Sequence, residues 1–184
     1  MVFFLAVILA ALVVVVVTRG SFRRLGTIEF RSLGLLFAAL AIQIVLEYVD
    51  FPKDRIDNLG LAILLLSYAL IFAFCYVNRS MQGLWIIAIG VALNVIVITL
   101  NQGMPASDEV VHRRGHEVHV PIERTVKHKP ESNDDLLPFL GDVFALPGDN
   151  AVFSIGDIVI GLGIIDICFE KSRRPRRRSA PLVS

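Results

Sequence analysis

Residues 59–77 read LGLAILLLSYALIFAFCYV and residues 84–100 read LWIIAIGVALNVIVITL, and neither stretch contains a charged side chain. Runs of about twenty apolar residues are long enough to cross roughly 30 Å of hydrocarbon. A helix lying on a soluble core would show a polar stripe along one face, and no such stripe is present. Working outward, three further apolar segments appear, Val2 to Val17, Leu33 to Val49 and Ala151 to Phe169. Together with Leu59 to Val77 and Leu84 to Leu100 they predict an all-α integral membrane protein, a bundle of five transmembrane helices. The first two segments are short, which calls for tilting or local thinning of the bilayer.

The composition agrees. Of 184 residues 55% are apolar and 19% are charged, and the mean hydropathy is +0.68. Cys75 and Cys168, the only cysteines, both fall inside apolar segments, which suits neither a disulfide framework nor a zinc site. The first segment lacks a basic start, and Thr18-Arg19-Gly20 is a poor cleavage site, so it reads as a retained span.

The formal net charge of +1 conceals an asymmetry. Arg19, Arg23, Arg24 and Arg31 lie between the first two spans, and Arg79 lies between the third and fourth. Lys171, Arg173, Arg174, Arg176, Arg177 and Arg178 follow the fifth. In a five-span chain all of these fall on one side, accompanied only by Glu29 and Glu170. The acidic turn from Asp50 to Asp57 and the long segment 101–150 fall on the other. Excess Lys and Arg marks the cytoplasmic face. The expected topology is therefore that of a multi-pass plasma-membrane protein, N-terminus outside and C-terminus cytoplasmic, forming one membrane domain with an extracytoplasmic loop over 101–150 and a basic tail over 170–184. The expected partners are the lipid bilayer and, at the tail, anionic headgroups, with each cation near the surface contributing about 1 kcal/mol. No nucleic-acid partner is expected, because topology and lipid account for the charge.

Within the long loop, residues 110–121 alternate enough to suggest a short β-hairpin around Gly115. Lys127 to Asp135 reads as irregular. Leu136 to Leu146 turns apolar again and, being too short to span, reads as an interfacial or re-entrant piece.

Few residues could carry chemistry. Asp157 reads as lying about two turns inside the fifth span, where an ionisable group needs a partner, a wet cavity or a proton. It is either functional, or an aspartate that snorkels to the outer interface or bonds to a neighbouring helix. Asp142, flanked by Phe139, Leu140, Val143 and Phe144, is a candidate second carboxylate; two carboxylates in close approach hold one proton between them. The alternative is an ordinary turn aspartate. Asn101 either supports such a site or stops the fourth helix, with Gly103 and Pro105 beyond it. Asn94, seven residues earlier and on nearly the same face, suits interhelical bonding. Glu47 and Asp166 are further acids within spans. His112, His116 and His119 with Glu117 suggest a metal only if brought together, and a hairpin would scatter them. No cofactor or metal is expected. No phosphate-binding glycine loop and no Gly-x-Ser-x-Gly elbow occurs.

Asn101-Gln102-Gly103-Met104-Pro105, Leu140-Gly141-Asp142-Val143-Phe144-Ala145-Leu146-Pro147 and Phe153-Ser154-Ile155-Gly156-Asp157 together resemble an uncharacterised bacterial membrane family, domain of unknown function 5317. That likeness implies a membrane protein and no stated activity. The last quarter of the chain also resembles lipoprotein signal peptidase, the aspartic peptidase of the bacterial plasma membrane. Phe153-Ser154-Ile155-Gly156-Asp157 resembles that family's Phe-Asn-x-Ala-Asp-Ser motif, with Ser154 for Asn, Gly156 for Ala and Ile158 for the final Ser. By this resemblance Asp142 and Asp157 would be the catalytic pair and Asn101 the supporting polar residue. The chain departs from the pattern in having five spans rather than four and in lacking the Gly-Ala-Ala-Phe segment. Two function classes follow: an aspartate peptidase acting on a membrane or lipid-linked substrate, or a non-enzymatic accessory subunit that binds a partner through its loop.

Overall fold

The computed structural model describes residues 2–48, 56–106, 109–113, 116–120, 124–145 and 152–173. It is mostly helical, with six α-helices among those residues: α1 (Val2–Val17), α2 (Phe22–Leu25), α3 (Leu33–Tyr48), α4 (Leu61–Val77), α5 (Gln82–Asn101) and α6 (Ile155–Ser172). A wide π turn, Ile56–Gly60, leads into α4. In packing order the long helices run α3, α4, α5, α6, α1, and α5 against α6 is the most extensive pair.

Glycine explains that closeness. Gly83 and Gly90 on α5, and Gly156 and Gly163 on α6, are each seven residues apart, hence on one face of their helix. A Cβ on Gly83 would stand 2.6 Å from the Gly163 carbonyl, and one on Gly90 would stand 2.6 Å from the Gly156 carbonyl. The helices therefore run antiparallel with backbones touching at two levels, an approach that small residues permit.

One end of the bundle is basic. There Gly20 lies against Ser172, and the Ser21 N–H donates to the Ser172 carbonyl at 2.9 Å. The other end carries the loop. β1 (Met104–Ala106) pairs in parallel with β4 (His128–Pro130), and on its opposite edge Asp142 bridges to Ala106. The Asp142 N–H donates to the Pro105 carbonyl at 2.9 Å. β5 (Phe144–Ala145) pairs antiparallel with β6 (Val152–Phe153), stacking Phe144 on Phe153 at 5.6 Å between ring centres. β2 (Glu109–Arg113) pairs antiparallel with β3 (His116–Val120), the expected hairpin; Gly115 at its turn lies outside the described residues. Leu46, Leu64, Tyr68, Val91, Val97, Ile98, Met104 and Val126 form the larger core cluster, toward the loop end.

The expected helices are present, with three differences. Among the described residues, only Asn58–Val77 and Gln82–Asn101 are both long and apolar enough to cross a membrane, with mean hydropathy 2.3 and 2.5. α1 and α3 have 16 residues each and rise about 24 Å, while α6 carries Asp157, Asp166, Glu170 and Lys171. Secondly, α6 starts at Ile155 rather than Ala151, because Val152 and Phe153 are committed to β6. Asp157 therefore sits in the first turn, not two turns deep. Thirdly, the segment expected to be irregular contains β4, held by the Met104 N–H donating to Lys127 at 2.7 Å and the Glu131 N–H donating to Ala106 at 3.1 Å. Much of the expected basic tail, residues 174–184, most of the acidic turn and the side chains of Glu47, His112, His116, Glu117 and His119 lie outside the described residues.

Candidate functional site: a polar cluster at the loop end

Asp157 is the third residue of α6, and Ser154 is its N-cap. The Asp157 N–H donates to Ser154 Oγ at 3.1 Å, and the Ser154 N–H donates to Asp157 Oδ2 at 3.1 Å. This reciprocal box satisfies two of the free donors at a helix start. Asn94, two turns before the end of α5, closes a ring around it. Its Nδ2 donates to Asp157 Oδ1 at 3.0 Å, while its Oδ1 accepts the Ser154 hydroxyl at 2.9 Å. Ser154 is wholly buried and Asn94 nearly so. Gly156 makes room for the contact, since a Cβ there would meet Asn94 Oδ1 at 1.9 Å. Both carboxylate oxygens thus accept N–H bonds at the start of α6.

Asp142 is buried, 3% exposed, and its Oδ2 lies 3.0 Å from Nδ1 of the half-buried His128. Strand pairing makes this contact. β4 brings His128 to one edge of β1, and the bridge to Ala106 brings Asp142 to the other. Gly141 permits the approach, because a Cβ there would be 2.5 Å from the Pro105 carbonyl. A carboxylate accepting from Nδ1–H fixes the ring's orientation and tautomer.

Asn101 turns its amide toward the loop. It donates to the Leu136 carbonyl at 2.8 Å and to Val97 at 3.0 Å, and its Oδ1 accepts the Leu136 N–H at 2.8 Å. The left-handed residue that ends α5 is Gln102, at φ 55°, rather than the glycine after it. Asn78 repeats the device at the basic end, pairing with both backbone groups of Arg31 at 2.7 and 2.9 Å.

Of the three residues singled out in the sequence, Asp142 meets His128, Asp157 meets Asn94 and Ser154, and Asn101 fastens the loop. Tyr68 of α4 is buried in the larger core cluster, within electrostatic reach of both aspartates. Tyr68 and His128 carry no spacing signal, because strand and helix packing bring them in from distant positions. Ser154 does carry one, since Ser-x-x-acid ahead of an apolar run is the mark of a capping box. Among the described residues no group of three or more His, Cys, Asp or Glu is placed to hold a metal.

No curated protein and no solved structure matches the chain. One family model does, over residues 27–169, and that span contains Tyr68, Asn94, Asn101, His128, Asp142, Ser154 and Asp157. On a match of that extent the chain belongs to the family of unknown function DUF5317.

Proposed function

We propose that this is a multi-pass plasma-membrane protein of five spans, N-terminus outside and C-terminus cytoplasmic, whose bundle holds an outward loop platform as a partner-binding surface. The observation that carries the reading is how Asn101, Asp142 and Asp157 use their polar atoms. Asn101 and Asp157 fasten the loop and the helix that follows it to the bundle, and Asp142 ties the strands of the loop to one another. Lipid as the surrounding solvent is supported by the helix exteriors. Leu9, Phe37, Ile44, Leu66, Ile89 and Leu162 are more than half exposed on five different helices, a surface that water would disfavour. The segment around the 3-10 turn Pro138–Leu140 exposes Leu136, Phe139 and Phe144, which suits a face seated at the outer interface or against a membrane partner.

The test is co-purification of membrane partners with the full chain. Binding that depends on residues 106–146 and tolerates Asp157→Asn agrees with the proposal. A second reading, aspartate chemistry on a membrane or lipid-linked substrate, is favoured by the His128–Asp142 pair, with its buried carboxylate. It requires that Asp142→Asn and Asp157→Asn each abolish processing in a protein that still folds. That outcome would replace the first reading.

A further inference from the structure

Two cavities open at the basic end, on either side of Glu29 and Met81. The first, about 520 Å³, is lined by Arg24, Lys171 and Arg173; the second, about 500 Å³, by Arg31 and Arg79. Three separate segments build them: α2 and the chain after it, the α4–α5 turn, and the last turn of α6. The Asn78–Arg31 pairing and the Ser21–Ser172 bond hold these segments together. Against five cations stand only Glu29 and Glu170. The ion pairs of His128 with Asp142 and of Lys129 with Asp135 lie at the loop end. Among the described residues the basic end therefore gathers more positive than negative charge.

Two of the guanidinium groups are also oriented. Arg79 lies over the Tyr76 ring at 4.7 Å, and Arg173 over the Phe169 ring at 4.4 Å. Stacking on a ring fixes the plane of a guanidinium while leaving its N–H edges free, which suits a tetrahedral oxyanion. The carbonyl end of α6 would by itself repel an anion. Here Phe169, Glu170 and Ser172 already accept from the Ser172 hydroxyl, the Arg173 N–H and the Ser21 N–H. The volumes fall in the range of small-ligand sites.

We propose that this cleft between α2, the α4–α5 turn and the end of α6 binds a phosphate group, that of an anionic phospholipid headgroup at the inner leaflet or of a free phosphoester. The lipid source rests on the membrane reading above; the phosphate chemistry does not. Glu29 and Glu170, beside the cations, are placed to accept from the hydroxyl groups of a glycerol headgroup.

The test uses the full chain in nanodiscs of phosphatidylcholine and phosphatidylglycerol in equal parts, with retained lipid read by native mass spectrometry. Each cation removed should weaken retention about fivefold, so Arg24→Gln with Lys171→Gln should retain roughly 25-fold less phosphatidylglycerol. Lys171→Arg should retain it as wild type does, and Lys127→Gln at the loop end should change nothing. In a second arm, inorganic phosphate is titrated against the melting temperature of wild type and the double variant. Stabilisation of wild type alone, with lipid retention equal in both, identifies a free phosphoester as the source. Equal lipid retention together with equal response to phosphate overturns the proposal, as does an equal loss on Lys127→Gln. A chain that stays in solution without detergent refutes the membrane reading, and the phosphate arm still decides the cleft.

Discussion

Asn94 on α5 donates to Asp157 on α6 at 3.0 Å while accepting from Ser154 at 2.9 Å, so a single amide reads both residues of a helix cap on the neighbouring helix. The start of α6 is thereby fixed at one height on α5. Asn94→Ala would leave the wholly buried Ser154 hydroxyl and one carboxylate oxygen without their partner. Loss of a partner to a buried polar group costs about 1–3 kcal/mol. The expected result is a lower unfolding temperature in detergent, with Asn94→Gln failing to restore it because the longer side chain overfills the space at Gly156.

Asn94→Asp tests the same contact by charge. It removes the amide donor from Asp157 Oδ1 and sets a second carboxylate in its place, and like charges in close approach repel. The unfolding temperature of this variant should fall below that of Asn94→Ala; an equal or higher value would show that the two side chains are not in contact.

The glycine pairs make a steric prediction. Gly156→Ala or Gly90→Ala places a Cβ under 3 Å from backbone of the facing helix, and such overpacking costs about 1–3 kcal/mol. Gly34→Ala, where a Cβ would meet nothing within 4 Å, should stay within about 0.5 kcal/mol of wild type. Thermal unfolding of the three variants in one detergent gives the comparison.

Asp142 and His128 should behave as a coupled pair. The effects of Asp142→Asn and His128→Gln on stability are expected to be non-additive, with an interaction of about 0.5–3 kcal/mol in a double-mutant cycle. Strict additivity would mean that the 3.0 Å contact contributes nothing.

Asn101→Ala should free the loop without opening the bundle, because its amide binds both backbone groups of Leu136. Limited proteolysis should cut within residues 124–145 faster than in wild type, while the helical circular-dichroism signal stays constant. Asn78→Ala, at the other end, should leave that cutting rate unchanged.

The helices were legible because apolar run length is written locally. α1 begins and ends where the run Val2 to Val17 does, and α4 and α5 depart from their runs by two residues at most. Where the structure departs further, a competing local signal decides. Ser154 caps α6, so the apolar residues before it join a strand and Asp157 moves to the helix entrance. The site was legible in part. Asp142 and Asp157 stand out as acids among apolar neighbours, but which partners they meet depends on pairing across the chain. His128 reaches Asp142 only through β1, and Asn94 reaches Asp157 only because two glycine pairs draw α5 and α6 together. Neither relation has a sequence spacing of its own.

In the proposed topology the two ends of the bundle face opposite sides of a membrane. With Cys75 and Cys168 replaced by alanine, single cysteines introduced by Lys127→Cys and Lys171→Cys can be probed in intact cells with a membrane-impermeant maleimide. Labelling is expected at position 127 at once and at position 171 only after permeabilisation. The reverse pattern, labelling of both without permeabilisation, or recovery of the chain in the soluble fraction would contradict that topology.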